Sequence, residues 1–162
     1  MADMDRVYSV GPVLDEPVTN VTATASVDLG TRVVYKGEEY VYCYNAGATI
    51  ATGNGVKLVT GASGYSVAAT SLTDVVNPCV GVCNLTECPT GSYLWVMKEG
   101  FRNVVMVSAT TADYIGIALG VDGKFIAAAG GTGTVGTGAV VGYALNANTG
   151  AGGTVYARIF GK

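Results

Sequence analysis

An all-β fold, a small barrel or sandwich of Gly-rich hairpins behind an extended N-terminal arm, is predicted by three features of this sequence. Glycine makes up 24 of 162 residues, about twice the usual share of roughly 7%. Prolines number 4 against 10 Tyr, and Val and Thr are abundant, which suits short strands joined by tight turns. No stretch holds a helical period over about a dozen residues. The third feature is an internal repeat. Residues 80–100 read VGVCNLTECPTGSYLWVMKEG and residues 141–162 read VGYALNANTGAGGTVYARIFGK. Gly81 aligns with Gly142, Gly91 with Gly152 and Gly100 with Gly161, at one offset of 61 (142 − 81 = 61). Each copy is an apolar strand bearing a Gly, a small polar turn, and a strand with aromatic and β-branched residues.

Residues 1–29 hold two prolines in GPVLDEPVTNVTATASVDLG and little periodicity, so they read as an arm laid on another surface. Residues 30–162 form the β domain. TRVVYKGEEYVYCYN is a hairpin around Lys36-Gly37-Glu38, with Tyr40, Tyr42 and Tyr44 on one face and Val41 and Cys43 on the other. ATGNG is a turn, and residues 56–60 are a short strand. GASGYSVAATSLT, residues 61–73, is small and polar, a long loop or weak strand. Residues 75–84 are a strand, residues 87–91 a turn, and residues 93–98 and 101–108 two further strands. Asp74-Val75-Val76 and residues 110–113 have room for one helical turn each. Residues 114–119 and 124–128 flank Val121-Asp122-Gly123, and Asp-Gly between apolar runs is a hairpin signal. GGTGTVGTG reads as a surface loop, since it lacks the Lys-Ser/Thr ending of a phosphate-cradling loop. Residues 140–145 and 154–160 close the fold as a hairpin, giving about eight to ten short strands in all.

The chain carries few chemical tools. It has no histidine, which removes Ser-His-Asp triads, Cys-His dyads, histidine zinc sites and the commonest general base. Its 12 acids fall mostly in the arm or in turns. Glu38-Glu39 sits at a hairpin tip, and no calcium-loop pattern occurs. We expect no catalytic residues, no cofactor and no metal, hence no enzyme. The four cysteines are Cys43, Cys79, Cys83 and Cys88. Their spacing is not the paired C-x2-C of a zinc ribbon. The core reading competes with zinc or disulfide roles.

Charged residues are 13% and the net charge is −3, against about 25% charged in ordinary soluble domains. Lys and Arg are scattered, so no phosphate-binding patch forms and no nucleic acid partner is expected. No stretch resembles a transmembrane helix of about 20 apolar residues, and no membrane partner is expected. MADMDRVYSV has acids where a signal peptide needs a basic region, so synthesis in a reducing cytoplasm is expected. Asn20-Val21-Thr22 and Asn84-Leu85-Thr86 match the glycosylation pattern and mean little in that setting. Tyr40, Tyr42, Tyr44, Tyr93, Trp95 and Phe101 suit either a carbohydrate-stacking face or packing in the core or at a subunit interface, the commoner use. Tyr93 and Trp95 are the candidate aromatic interface.

The pattern resembles the capsid decoration, or cement, proteins of tailed bacteriophages. The arm is followed by Gly30, Thr31, Val33 and Gly37. Then come Gly91, Tyr93, Trp95, Val96 and Gly100, and finally Gly142, Ala144, Leu145, Ala147 and Gly150. The Cys cluster and the polar stretch at 61–73 depart from it. The resemblance implies a non-enzymatic virion protein on the capsid surface. It implies a homotrimer whose partner is the major capsid protein. The arm would then dock on the shell, and Pro12, Val13, Leu14 and Pro17 are its candidate contacts. The alternatives are another phage part, such as a head-fibre base or tail protein, or a carbohydrate-binding β-module.

Overall fold

The computed structural model describes residues 21–59, 64–69, 79–83, 86–107, 114–128, 140–148 and 150–160. Ten strands run through them: β1 (Arg32–Tyr35), β2 (Glu38–Asn45), β3 (Gly55–Leu58), β4 (Ser66–Ala69), β5 (Cys79–Cys83), β6 (Tyr93–Val105), β7 (Ile115–Leu119), β8 (Phe125–Ala127), β9 (Gly142–Ala144) and β10 (Thr154–Phe160). A 3-10 turn spans Val121–Gly123, and no α-helix occurs among the described residues. The protein is all-β, as the sequence predicts. The helical turns expected at 74–76 and 110–113, and the loop at 130–138, lie outside the described residues.

The first hairpin follows from two residues. Lys36 (φ 51) and Gly37 (φ 82) both take positive φ, which a two-residue turn of the favoured twist requires. The turn sets the register Tyr35↔Glu38 through Arg32↔Val41. β2 then alternates as expected, but both of its faces are buried. Tyr40 and Tyr42 enter one core cluster, and Val41 and Cys43 enter another.

The strands run in the order β1-β2-β4-β3-β5-β6-β10-β9-β7-β8, with β2 also paired to β6. That extra pairing closes β2-β4-β3-β5-β6 into a ring of five strands. Every strand of the ring contributes to one cluster: Val41 and Cys43, Val56, Val67, Val80 and Cys83, Leu94 and Val96. Burying side chains of this size contributes about 1.5–3 kcal/mol each.

A second ring repeats the first. β6, β10, β9, β7 and β8 pair in turn, and a parallel bridge, Met106↔Phe125, returns to the end of β6. The repeat seen in the glycines extends through both rings at one offset (158 − 97 = 61). Tyr40↔Met97 and Tyr42↔Trp95 in the first ring match Phe101↔Arg158 and Asn103↔Tyr156 in the second. Val82↔Met97 and Cys83↔Val96 match Tyr143↔Arg158 and Ala144↔Ala157. Val56↔Gly81 matches Ile117↔Gly142. The parallel pair Asn45↔Val67 matches Met106↔Phe125 with three fewer residues between its strands (67 − 45 = 22 against 125 − 106 = 19). Core positions follow: Cys43, Val56, Cys83, Leu94 and Val96 become Val104, Ile117, Ala144, Val155 and Ala157.

β6 is the shared element. Its 13 residues close the first ring with their N-terminal half and open the second with their C-terminal half. The sequence predicts a break between 98 and 101. The structure instead carries one strand through Gly100 (φ 153), where a Cβ would sit 2.8 Å from the Glu38 Cγ. A bulge in the pairing at Glu39/Tyr40 absorbs the change of direction. The rings also meet away from β6, where Asn54 Nδ2 donates to the Asp122 carbonyl (2.9 Å). The expected weak strand within 61–73 is β4.

Candidate interaction surface

The structure brings the candidate aromatics Tyr93 and Trp95 together against Tyr42. Pro12, Val13, Leu14 and Pro17 lie outside the described residues. Trp95 is buried in the large core and Tyr93 is partly buried against it. Trp95 packs on Tyr42, with ring centres 5.0 Å apart, and Tyr93 stacks on Tyr42 at 6.0 Å. Tyr40 is also fully buried. These aromatics are core rather than a stacking face for a sugar, so a carbohydrate cannot reach Trp95.

Residues 22–35 cover this part of the core. Thr22 bridges to Tyr93 by two backbone hydrogen bonds (3.1 and 2.8 Å). The Tyr42 hydroxyl meets the Ser26 amide (3.1 Å), the Ser26 hydroxyl and the Thr22 hydroxyl (both 3.2 Å). Val33 is buried in the cluster, and Val27 and Tyr35 pack against it.

Cys43, Cys83 and Cys88 are free and buried, and all three sit in the first ring's core. The side chain of Cys79 lies outside the described residues. Among those residues no group of His, Cys, Asp or Glu is placed to hold a metal ion. Burial pushes the Cys83 thiol up to about 12 and the Cys88 thiol up to about 11; it pushes Cys43 higher still. A raised folded pKa means that the folded protein holds its protons longer than the unfolded chain. The stability that the protonated thiols contribute is therefore present below about pH 9 and is lost as pH rises through about 11–12. We expect urea midpoints to hold steady between about pH 7 and 8.5 and to fall above about pH 9. We also expect a thiol reagent at neutral pH to label the three only as the chain unfolds. A midpoint unchanged at about pH 11 would contradict this placement.

At the junction of the rings, Arg102 Nη2 lies 2.6 Å from Glu38 Oε2 and 2.5 Å from the Tyr40 hydroxyl. Glu38 Oε1 accepts from the Phe101 amide (3.2 Å). Burial, and then the Glu38 hydrogen bond, pushes the Tyr40 hydroxyl well above the ordinary tyrosine range. Arg102 replaces Val41 at the repeat offset (102 − 41 = 61). It clamps the start of β2 to the middle of β6.

The exposed aromatics gather elsewhere. On β10, alternate residues Tyr156 and Arg158 face outward, as do Tyr143 on β9 and Phe101 and Asn103 on β6. Phe101 stacks on Tyr156 (6.0 Å), Tyr143 packs on Phe160 (5.6 Å), and the Arg158 guanidinium lies over Phe101 (5.8 Å). Phe101 is among the aromatics that the sequence singles out, and Tyr143 and Tyr156 are not. The repeat itself carried the missing signal, because Tyr156 stands where Trp95 stands one unit earlier (156 − 95 = 61).

Neither a protein-family profile nor a curated protein matches the chain. Among solved structures, the fold is similar to the head fibre gp8.5 N base of bacteriophage phi29. The TM-score is 0.55 at 14% identity, over 74% of this chain and 92% of that one. The likeness establishes a shared all-β architecture.

Proposed function

We propose that this protein is a non-enzymatic structural component of a tailed-phage virion, seated on the outer surface of the capsid. The observation that carries the reading is the fold shared with nearly the whole of the phi29 head-fibre base. The sequence pattern resembling decoration proteins supports it from a separate direction. So does the absence of histidine, which leaves the chain poorly equipped for catalysis. In this reading residues 1–29 dock on the major capsid protein, with Pro12, Val13, Leu14 and Pro17 at the contact. The β domain then acts as a rigid homotrimeric body, and repetition over a symmetric shell turns weak contacts into avidity.

Deleting residues 2–20 is expected to leave a folded β domain that no longer sediments with expanded capsids. Saturation of capsids by the truncated protein would overturn the docking role of the arm. The structural neighbour favours a second reading on equal terms, a head-fibre base. Copy number separates the two: hundreds of copies per virion indicate a decoration protein, and a few tens indicate a fibre base.

A further inference from the structure

We propose that residues 21–29 form a strap that opens about Gly30 while the β domain stays folded, freeing chain between residues 1–20 and the first ring. The strap lies over Tyr42 and Tyr93, and few contacts hold it there. Residues 23–26, 28 and 29 are exposed. Thr22 makes the two backbone bonds to Tyr93 (3.1 and 2.8 Å). Three further strap groups share one atom: the Ser26 amide (3.1 Å), the Ser26 hydroxyl and the Thr22 hydroxyl (both 3.2 Å) all meet the Tyr42 hydroxyl. Its packed apolar side chains, Val21 and Val27, are only partly buried, and each meets a different core cluster. Ordering the strap costs backbone entropy, which so few contacts offset by a small margin.

The second ring shows that a ring does not need this cover. One repeat later, the covered pair Tyr42 and Tyr93 becomes Asn103 and Thr154 (103 − 42 = 61), both exposed. The strap's own counterpart, residues 82–90 (82 − 21 = 61), is spent on the end of β5 and the stretch leading to β6, so the second ring gets no strap from it. Its strands nevertheless pair as the first ring's do, with Ile117↔Gly142 matching Val56↔Gly81 and Ala144↔Ala157 matching Cys83↔Val96. The cover is therefore separable from the ring. The hydroxyl that anchors it also belongs to the first ring alone, because Asn103 stands at the Tyr42 position.

The fixed end of the strap is a turn. Thr31 donates to the Asp28 carbonyl through its amide (3.1 Å) and its hydroxyl (2.7 Å). Gly30 takes φ 86, a backbone setting that glycine adopts without strain. The Gly30 amide donates to the Tyr42 carbonyl (2.8 Å), and β1 follows at Arg32, paired to β2. Chain from Gly30 onward is thus bound into the sheet, whereas the strap before it hangs on one bridge and one hydroxyl. Opening frees residues 21–29, about 30 Å of extended chain at roughly 3.3 Å per residue. The residues before them gain that reach without any strand leaving its sheet.

The test is amide hydrogen exchange on the purified full-length chain alone, so its outcome is independent of the virion reading. The Thr22, Ser26 and Tyr93 amides are expected to share one opening constant that does not change with low urea. Their protection is expected to be at least about a hundredfold weaker than that of the β2–β6 amides, which open only with the whole domain. Tyr42→Phe keeps the ring in the core and removes the hydroxyl. It is expected to speed exchange at all three amides by about tenfold, with the β7–β8 amides unchanged. Ser26→Ala removes one of the shared bonds at an exposed position, where the domain tolerates the change. It is expected to speed exchange at Thr22 and Tyr93 by about threefold. Exchange at Thr22 and Tyr93 that follows the urea dependence of the β2–β6 amides would overturn the proposal. So would a folded Tyr42→Phe or Ser26→Ala protein in which those two amides exchange as in the wild type.

Discussion

Gly81→Ala is expected to cost the protein about 3 kcal/mol or more, a large part of the roughly 5–15 kcal/mol that holds a domain folded. The reason is a close approach of two backbones. A Cβ at Gly81 would run into the carbonyl oxygen of Met97, with the Met97 carbonyl carbon 2.7 Å away and Val96 Cγ1 at 2.9 Å. The obstacle is backbone in the middle of β6, which cannot swing aside as a side-chain end can. β5 would have to lift away, breaking the register Val82↔Met97 and Cys83↔Val96 and opening the first ring. The duplication supplies an internal replicate. At Gly142 the same Cβ would meet the Arg158 carbonyl oxygen, with Ile159 Cδ1 at 3.1 Å and Ile117 Cδ1 at 3.3 Å. Gly142→Ala is therefore expected to behave alike. Gly150→Ala, with no neighbour within 4 Å, should change stability by less than about 0.5 kcal/mol. Urea midpoints of the three variants decide the matter. Wild-type stability for Gly81→Ala would mean that β5 is not seated on β6 as described.

That clash explains how much of the fold was legible. Of the repeat's glycines, Gly81 and Gly142 stand out because a strand crossing over a neighbouring carbonyl has room for nothing larger, and Gly91 and Gly152 because their turns take positive φ (77 and 76). The rest of the repeat was hidden because packing constrains volume and polarity rather than identity. Between the rings, Val41 became Arg102, Tyr42 became Asn103 and Val67 became Phe125, each compatible with the same strand pairing. Three residues fewer before β8 also shift the offset there. β6 was read as two strands because Lys98-Glu99-Gly100 looks like a turn. Tertiary pairing on both sides, to β2 and then to β10, holds it extended instead. β4 was veiled because Ser66-Val67-Ala68-Ala69 has little strand character of its own and is ordered by β2 and β3. Tyr93 and Trp95 and their counterparts Thr154 and Tyr156 occupy equivalent positions in the two rings, yet Trp95 is buried and Tyr156 is exposed. The long-range packing of the second ring and of residues 22–35 around the first ring's pair makes that difference, and periodicity does not reveal it.

Asn45→Ala is expected to cost about 2–3 kcal/mol through lost hydrogen bonds rather than lost volume. Asn45 is fully buried at the end of β2, where two loops converge. Its Nδ2 donates to the carbonyls of Ala48 (3.0 Å), Cys88 (3.0 Å) and Pro89 (3.1 Å), and its Oδ1 accepts from the Gly47 amide (3.0 Å). One amide thus ties the turn after β2 to the turn before β6. The Cys88 and Pro89 carbonyls keep second partners, the Ile50 amide (2.9 Å) and the Ser92 amide (3.3 Å), while the Ala48 carbonyl and the Gly47 amide lose the bond that Asn45 supplied. The second ring shows what the strand itself demands here. Its equivalent residue is Met106 (106 − 45 = 61), and the flanking backbone bonds are the same. Asn45 donates to Ser92 and accepts from Gly91 (2.8 and 2.9 Å), and Met106 donates to Gly153 and accepts from Gly152 (3.0 and 2.9 Å). Strand pairing therefore tolerates an apolar side chain at this position. Asn45→Met separates the two causes, because methionine fills the volume without bonding the loop. If the hydrogen bonds hold the first ring's loops, Asn45→Met should be destabilised nearly as much as Asn45→Ala, with faster amide exchange at Gly47. Recovery of wild-type stability by Asn45→Met would show instead that the position is held by packing alone.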